Sequence, residues 1–269
     1  MNPKRAILCG IAAFGFILLE GQLGWPGITD QVAVTFQEVA RALRDAFPPV
    51  EGVVVAVNGE RVSLDLKERT KVFPGMELRV ARRGDAFHHP LTGVVLGHYE
   101  ELLGYAQVLD VQEPFCTARF IPLPEAPPVR VEDLVRVTRG RIRVAVTPIL
   151  DLTKSRLDAK RIPYLLAAAL ERTGRFAPVD PQAVGQLMEQ DRVRTVDLFL
   201  MPALVARLSR TLEVDGWVIP LLVEMQGSTA VDATWVSAIT GTPLFSRRQP
   251  LMAAPPQIEQ RFPWEPPAQ

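Results

Sequence analysis

An Asn-Gly pair at positions 58 and 59 separates two strand-like runs, and it constrains the fold more than any other feature of the chain. Before it, Val53, Val55 and Val57 alternate with Val54 and Ala56; after it, Val62, Leu64 and Leu66 alternate with Arg61, Ser63 and Asp65. A type I′ turn needs positive φ at both central residues, which Asn and Gly tolerate, so the stretch predicts a two-residue β-hairpin. The second strand has one apolar and one polar face, as in a sheet packed on one side and wet on the other. Pro74-Gly75 supplies a further turn, with Pro fixing φ and Gly taking the left-handed position. Met76, Leu78 and Val80 continue at strand period until Arg83-Gly84-Asp85 ends the run. This is the opening of a small curled β-barrel, or of another antiparallel β-domain.

The same texture continues. Pro90-Leu91-Thr92-Gly93 predicts a turn, followed by strands over Val94 to Gly97, Gly104 to Val111 and Pro114 to Ile121. A proline-rich bridge, Pro122 to Pro128, leads into a closing strand over Val131 to Val137. Ahead of the hairpin, Thr29-Asp30 offers a helix N-cap, and Val32, Phe36, Val39, Leu43 and Phe47 form one apolar stripe at helical spacing until Pro48-Pro49. That helix is expected either to pack on the barrel or to serve as a stalk.

At Arg139 the pattern changes. Arg139, Arg141 and Arg143 alternate with apolar residues up to Pro148, the solvated face of a strand rather than a nucleic-acid site, since no aromatic side chain interleaves with them. A helix follows around Ile162 to Leu170, with Pro163 in its first turn and Gly174 beyond its end. Phe176 to Val179 is a short strand, and Asp180-Pro181 caps a helix over Gln182 to Gln190. Another helix within Val196 to Leu212 restarts at Pro202. Gly216 to Met225 is apolar almost throughout, as in a strand buried on both faces, and Pro220 within it implies a local irregularity. Thr229 to Ile239 and Leu244 to Arg247 make a last hairpin, so the order β-α-β-α-α-β-β-β predicts a mixed-sheet α/β domain. The remainder, 253–269, is proline-rich, and Phe262 and Trp264 there are candidate partner contacts.

Asn2-Pro3-Lys4-Arg5 precedes an apolar run from Ala6 to Leu19, the layout of an export signal or, because no Ala-x-Ala site follows, of an uncleaved anchor tethering the chain to the inner membrane. The residues before Cys9 do not make a lipoprotein signal. Lys plus Arg equals Asp plus Glu at 30 each, so no global field attracts nucleic acid. Cys9 and Cys116 are the two cysteines; with Cys9 in the leader, a disulfide or Cys-based zinc site within the exported part is excluded, and Cys116 reads as a small core residue.

Chemistry is hard to find. His98-Tyr99-Glu100 echoes the H-x-E of zinc deaminases, but Pro114-Phe115-Cys116 lacks the second cysteine that this chemistry needs. No G-x-S-x-G, Walker loop, G-x-G-x-x-G or H-E-x-x-H occurs. No catalytic, cofactor-binding or metal-ligating residue is assigned, and the chain reads as a non-enzyme.

Two sets of motifs carry a resemblance. Glu51-Gly52-Val53-Val54, Asn58-Gly59, Val62-Ser63-Leu64-Asp65-Leu66, Val72-Phe73-Pro74-Gly75-Met76, Leu91-Thr92-Gly93-Val94-Val95-Leu96-Gly97 and Ala106-Gln107-Val108-Leu109-Asp110-Val111 resemble the C-terminal SH3-like barrel of bacterial flagellar assembly protein T. Lys67-Glu68-Arg69 stands where that family often has glycine. Ile142 to Pro148, Gly174 to Asp180, Asp215 to Ile219 and Ala238 to Ser246 are similar to that family's middle domain, which is related to the N-terminal domain of the Tol-Pal propeller protein and to the curli-secretion channel subunit. The order is reversed here, barrel first. Together the motifs cover about 50–250, and the chain is expected to be α+β, divided into a signal peptide or signal-anchor (1–24), an amphipathic helix (28–47), an SH3-like barrel (50–138), a mixed-sheet α/β domain (141–250) and a proline-rich tail (253–269). The resemblance implies a periplasmic scaffold or assembly factor, for the flagellar basal body or a secretion apparatus, whose partners are other envelope proteins. Two alternatives remain: a ring- or pore-forming secretion subunit, whose amphipathic hairpin would be Thr229 to Arg247, and a ligand-sensing domain with a site near Asp151 to Ser155.

Overall fold

The computed structural model describes residues 28–137, 140–153, 160–225 and 228–251. The expected leader, Cys9, Arg139, and the tail with Phe262 and Trp264 lie outside the described residues. The protein is α+β: a closed six-stranded barrel and a mixed sheet flanked by helices.

The barrel strands are β1 (Val50–Asn58), β2 (Arg61–Leu66), β3 (Glu77–His88), β4 (Val95–Val111), β5 (Cys116–Pro122) and β6 (Leu134–Val137). They are ordered β1-β2-β5-β4-β3-β6, and β6 pairs back onto β1 to close the ring. The predicted turn joins β1 to β2 with Gly59 at φ +60° and Asn58 opposite Arg61. Gly52 is forced by packing rather than by its dihedrals: a Cβ there would lie 2.0 Å from the Asp65 carbonyl oxygen. Val54, Val62, Leu64, Leu66, Met76, Leu78 and Cys116 fill the interior, and burial pushes the Cys116 thiol pKa upward.

The second unit has β7 (Ile142–Val146), β8 (Leu150–Asp151), β9 (Phe176–Pro178), β10 (Gly216–Met225), β11 (Ser228–Ser237) and β12 (Pro243–Pro250). Its sheet order is β12-β11-β10-β7-β9, with β8 pairing β10 in line beyond β7. β10 pairs β7 in parallel and β11 antiparallel. Thr147 and Leu152 donate to the carbonyls of Val218 and Leu222, so strand alternation points the nitrogen of Pro220 to the same side. There the neighbouring strand is itself interrupted at Pro148, and the register with β11 passes Pro220 without a shift. The irregularity expected of Pro220 is thus carried by its neighbour.

Helices cover both faces of this sheet. Alternation sends Val144, Val146, Val218 and Leu222 to one face and Ala145, Trp217 and Ile219 to the other. The first face takes α2 (Ile162–Arg172) and α1 (Ile28–Ala46); the second takes α3 (Pro181–Gln190), α4 (Asp197–Leu200) and α5 (Pro202–Leu212). The Asp180 carboxylate accepts from the Gln182 N–H at 2.9 Å, as its N-cap position predicts. Pro202 restarts the helix where expected, and Trp217 Nε1 donates to the buried Ser209 hydroxyl at 2.7 Å.

The placement of α1 differs from both sequence expectations. It neither packs along the barrel wall nor stands off as a stalk; it lies against α2 and β12. Phe36, Val39, Ala40 and Leu43 are fully buried there, each large side chain contributing about 1.5–3 kcal/mol by leaving water. The barrel is therefore inserted, in sequence, between a helix and the strands that the helix covers. Arg141 and Arg143 face outward but are engaged locally: Arg141 donates to the Phe176 carbonyl at 2.9 Å and Arg143 to that of Leu212 at 3.0 Å.

Candidate functional site

Two of the barrel strands outgrow the barrel. β3 pairs with β4 along its whole length, from Glu77 opposite Gln107 to His88 opposite Val95. Their outer neighbours stop far earlier: β6 pairs only Arg79 to Ala81, and β5 reaches no further than Gly104. Beyond these points the hairpin stands as a free two-stranded arm of roughly 20 Å. This corrects two sequence expectations. Arg83-Gly84-Asp85 does not end the third strand, and the two strands expected over Val94 to Gly97 and Gly104 to Val111 are one, which begins at Val95. A bulge opposite Tyr99 absorbs Gly84 and Asp85, which is why a turn-like triplet lies inside a strand.

The arm is tied together by its own residues. The Phe87 ring lies over Gly97, where a Cβ would come within 2.8 Å of it, and its centroid is 5.3 Å from that of Tyr99. At the turn the His89 imidazole accepts from the N–H groups of Leu91 and Thr92 at 3.2 Å each, and Gly93 takes φ +69°. His89 thus shapes a turn. His88 and His98 lie on the facing strands, and no cluster of three metal-ligating side chains occurs among the described residues. The tip is apolar and open: Leu91 is 90% exposed and Tyr99 66%, and Val94, Val95 and Leu96 are exposed beside them.

At the base of the arm lies a charged cleft of about 730 Å³. Arg82 closes one side, gripping the buried Asp133 carboxylate through two hydrogen bonds of 2.9 Å while donating to the Pro128 carbonyl at 2.8 Å. The carboxylate raises the Arg82 pKa by holding the guanidinium charged, and it also accepts the Arg130 N–H at 2.6 Å. Arg136 pairs with Glu100 across the floor. Arg83 lines the same space with no ion-pair partner among the described residues. Ten of the fifteen lining residues are ionisable, with both signs equally represented, and none carries a hydroxyl, thiol, imidazole or aromatic ring.

The base of the arm is also fixed to the second unit. Glu77, the first residue of β3, accepts from the Ser237 hydroxyl at 2.6 Å and the Thr240 hydroxyl at 3.0 Å. Burial raises its pKa, and the two hydroxyls offset part of that rise. Two residues on, Arg79 bonds Asp215 at 2.5 Å. On the far side of this joint, Arg175 donates to the Phe47 carbonyl at 2.7 Å and Trp235 packs on Phe47 with ring centroids 4.5 Å apart.

None of these contacts includes a residue singled out from the sequence for partner binding, since Phe262 and Trp264 lie outside the described residues. The Asp151 to Ser155 region is described only to Thr153, and there the Asp151 carboxylate is occupied with the Thr153 N–H and hydroxyl at 2.8 and 2.7 Å. The signal that could have located the arm is the run Ala86 to Tyr99, which contains no Asp, Glu, Lys or Arg.

No protein-family model matches the chain. Among curated proteins it is 37% identical over 84 residues to a protein of Aquifex aeolicus (strain VF5) described only as uncharacterized. That match covers 31% of this chain and 17% of the relative's length. Solved structures with some likeness include the C-terminal domain of LpoB from Escherichia coli, at TM-score 0.34 and 15% identity, covering 41% of this chain and 82% of that one. A solution structure of E. coli LpoB gives 0.36 and 14%, covering 41% and 56%. Lipoprotein GNA1162 from Neisseria meningitidis gives 0.34 and 18%, covering 40% and 78%. At these scores the likeness carries no functional conclusion. The motif resemblance to flagellar assembly protein T has no counterpart in the proteins named here.

Proposed function

We propose that the protein is a non-enzymatic component of the bacterial cell envelope, a scaffold or assembly factor that binds a partner protein in the cleft at the base of the arm. The observation that carries this reading is the lining of that cleft. Small-molecule sites are mostly apolar with a few placed polar groups, whereas this one is crowded with charges of both signs. Such a surface suits a charged polypeptide, with Arg83 offering a guanidinium that has no ion-pair partner among the described residues and the Arg136–Glu100 pair a ready exchange of partners. The export segment read from the sequence supports a periplasmic location, with residues 6–19 as the inner-membrane tether where the segment is not cleaved. The motif resemblance favours a setting in flagellar or secretion-apparatus assembly.

The test is site-directed. A photo-crosslinking side chain at Val131, which lines the cleft and is exposed, should capture one discrete envelope protein in cells, while the same side chain at Glu189 on α3 should not. Arg83→Glu should weaken that adduct about tenfold or more without moving the melting temperature. An adduct of equal strength at both positions, or one indifferent to Arg83→Glu, would overturn the reading.

A further inference from the structure

We infer that the tip of the β3–β4 arm seats in the interfacial layer of a lipid bilayer. The inference goes beyond the partner cleft and does not depend on it. It rests on how side chains are zoned along the arm. The outermost zone carries the aliphatic side chains Leu91, Val94, Val95 and Leu96, between 53% and 90% exposed, with His88, His89 and Thr92 among them. One step back sit the paired rings of Phe87 and Tyr99, the latter 66% exposed. Charges resume only below these rings, at Asp85 on one strand and Glu100 on the other, followed by Arg83 and Arg82.

Aliphatic, then aromatic, then charged is the sequence of environments met on leaving a membrane: acyl chains, the interface where amphipathic rings such as Tyr settle, and the headgroup layer. Four steps of strand separate Tyr99 from Val95, about 13 Å, which exceeds the roughly 5–10 Å to which interfacial elements bury their apolar side, so the arm enters the layer at a slant. The depth is limited by the arm's own chemistry. Among the described residues both strand edges are unpaired beyond β6 and β5, and backbone groups without partners are not tolerated in the hydrocarbon core. The tip therefore rests at the boundary and does not span.

A protein occupant fits the tip less well. A stable interface engages about 20–30 residues a side, whereas the uncharged part of the arm is the run Ala86 to Tyr99, fourteen residues. A strand added to the free edge by a second copy is the rival, and the experiment separates the two.

The full chain carrying Cys9→Ser and Leu91→Cys is labelled at position 91 with a polarity-sensitive fluorophore, Cys116 being fully buried. It is mixed with vesicles of phosphatidylethanolamine and phosphatidylglycerol. The expected result is a blue shift with a several-fold rise in emission, quenched by lipids brominated near the glycerol end of their chains. The same label at exposed Leu200 on α4 should not respond. Adding Val94→Asp and Leu96→Asp should lower the vesicle partition coefficient about tenfold with an unchanged melting curve. Vesicle binding that leaves the label at 91 silent would assign attachment to another segment and overturn the proposal. A response that grows with protein concentration without vesicles would assign the tip to a second copy and overturn it equally.

Discussion

The joint between barrel and sheet turns on a contact that one methyl group should disrupt. Gly216 opens β10, and a Cβ built on it would lie 2.1 Å from Trp235 Cζ2 and 2.4 Å from Cε2. The indole has little room to retreat: it is 3% exposed, 4.5 Å from the Phe47 ring by centroid and 5.9 Å from that of Phe176. Gly216→Ala therefore demands a shift of more than an ångström in a packed aromatic cluster, an overpacking cost of about 1–3 kcal/mol. Part is returned, about 0.4–1 kcal/mol, because alanine restricts the unfolded chain. The net loss should be about 1–2 kcal/mol, which for a chain of this size lowers Tm by roughly 2–8 °C. Gly185→Ala is the matched control. Nothing lies within 4 Å of its Cβ position in α3, so the same substitution there should stabilise by about 0.5–1 kcal/mol. Thermal unfolding followed by far-ultraviolet circular dichroism, with the near-ultraviolet tryptophan signal as a second probe, measures both. In a Trp235→Ala background, itself about 3–5 kcal/mol less stable, the Gly216→Ala penalty should disappear. A Gly216→Ala protein that melts with or above the parent, or a penalty that survives removal of Trp235, would refute the reasoning.

Two further outcomes are expected. Arg82→Ala strands the Asp133 carboxylate, which is 5% exposed, and should cost about 1–3 kcal/mol in urea unfolding, discounted because Arg82 itself is partly exposed; Asp133→Asn should recover part of that loss in the double variant, and a purely additive pair would contradict the assignment. Glu77 has a folded pKa raised above its ordinary 4.5, so between that value and the folded pKa the native state binds more protons and stability from this site falls as pH rises; Glu77→Gln should gain on the parent as pH is raised through that window, and a difference constant with pH would count against the buried carboxylate.

Much of this architecture is legible in the sequence because local rules and tertiary packing agree. Asn58-Gly59, Asp180-Pro181, Gly174 and Pro202 sit at turns and helix ends where their backbone preferences place them. The apolar run of β10 is buried on both faces, as its composition implies. The partner of α1 is not legible. An apolar stripe says that a helix packs but not against what, and the chain returns to α1 only after the whole barrel has been built. The arm is illegible for a different reason. Arg83-Gly84-Asp85 has turn chemistry, and the bulge that holds Gly84 and Asp85 in a strand depends on Tyr99 across the hairpin. The cleft is assembled from five strands and the loop before β6, with no spacing in the sequence to announce it.

Once the arm is seen to be β3 continued, its anchoring follows a simple order along one strand. Glu77 and Arg79 are bonded to the second unit, Val80 and Ala81 are paired to β6, Arg82 is clamped to Asp133, and only then does the strand leave the barrel. Each attachment lies closer to the free end than the last, and the two ion pairs, Arg79 with Asp215 and Arg82 with Asp133, are charge-assisted, roughly twice as strong as neutral hydrogen bonds. A rod held along half its length against two bodies has little freedom at its root, so the tip's position is referenced to the α/β unit as well as to the barrel. This accounts for an otherwise awkward choice, a buried carboxylate at Glu77 whose desolvation opposes the charge it carries. A neutral side chain would pack there at lower cost. The Glu77 carboxyl accepts two hydroxyls from the Ser237 to Thr242 turn and fixes the angle at which the arm leaves the joint.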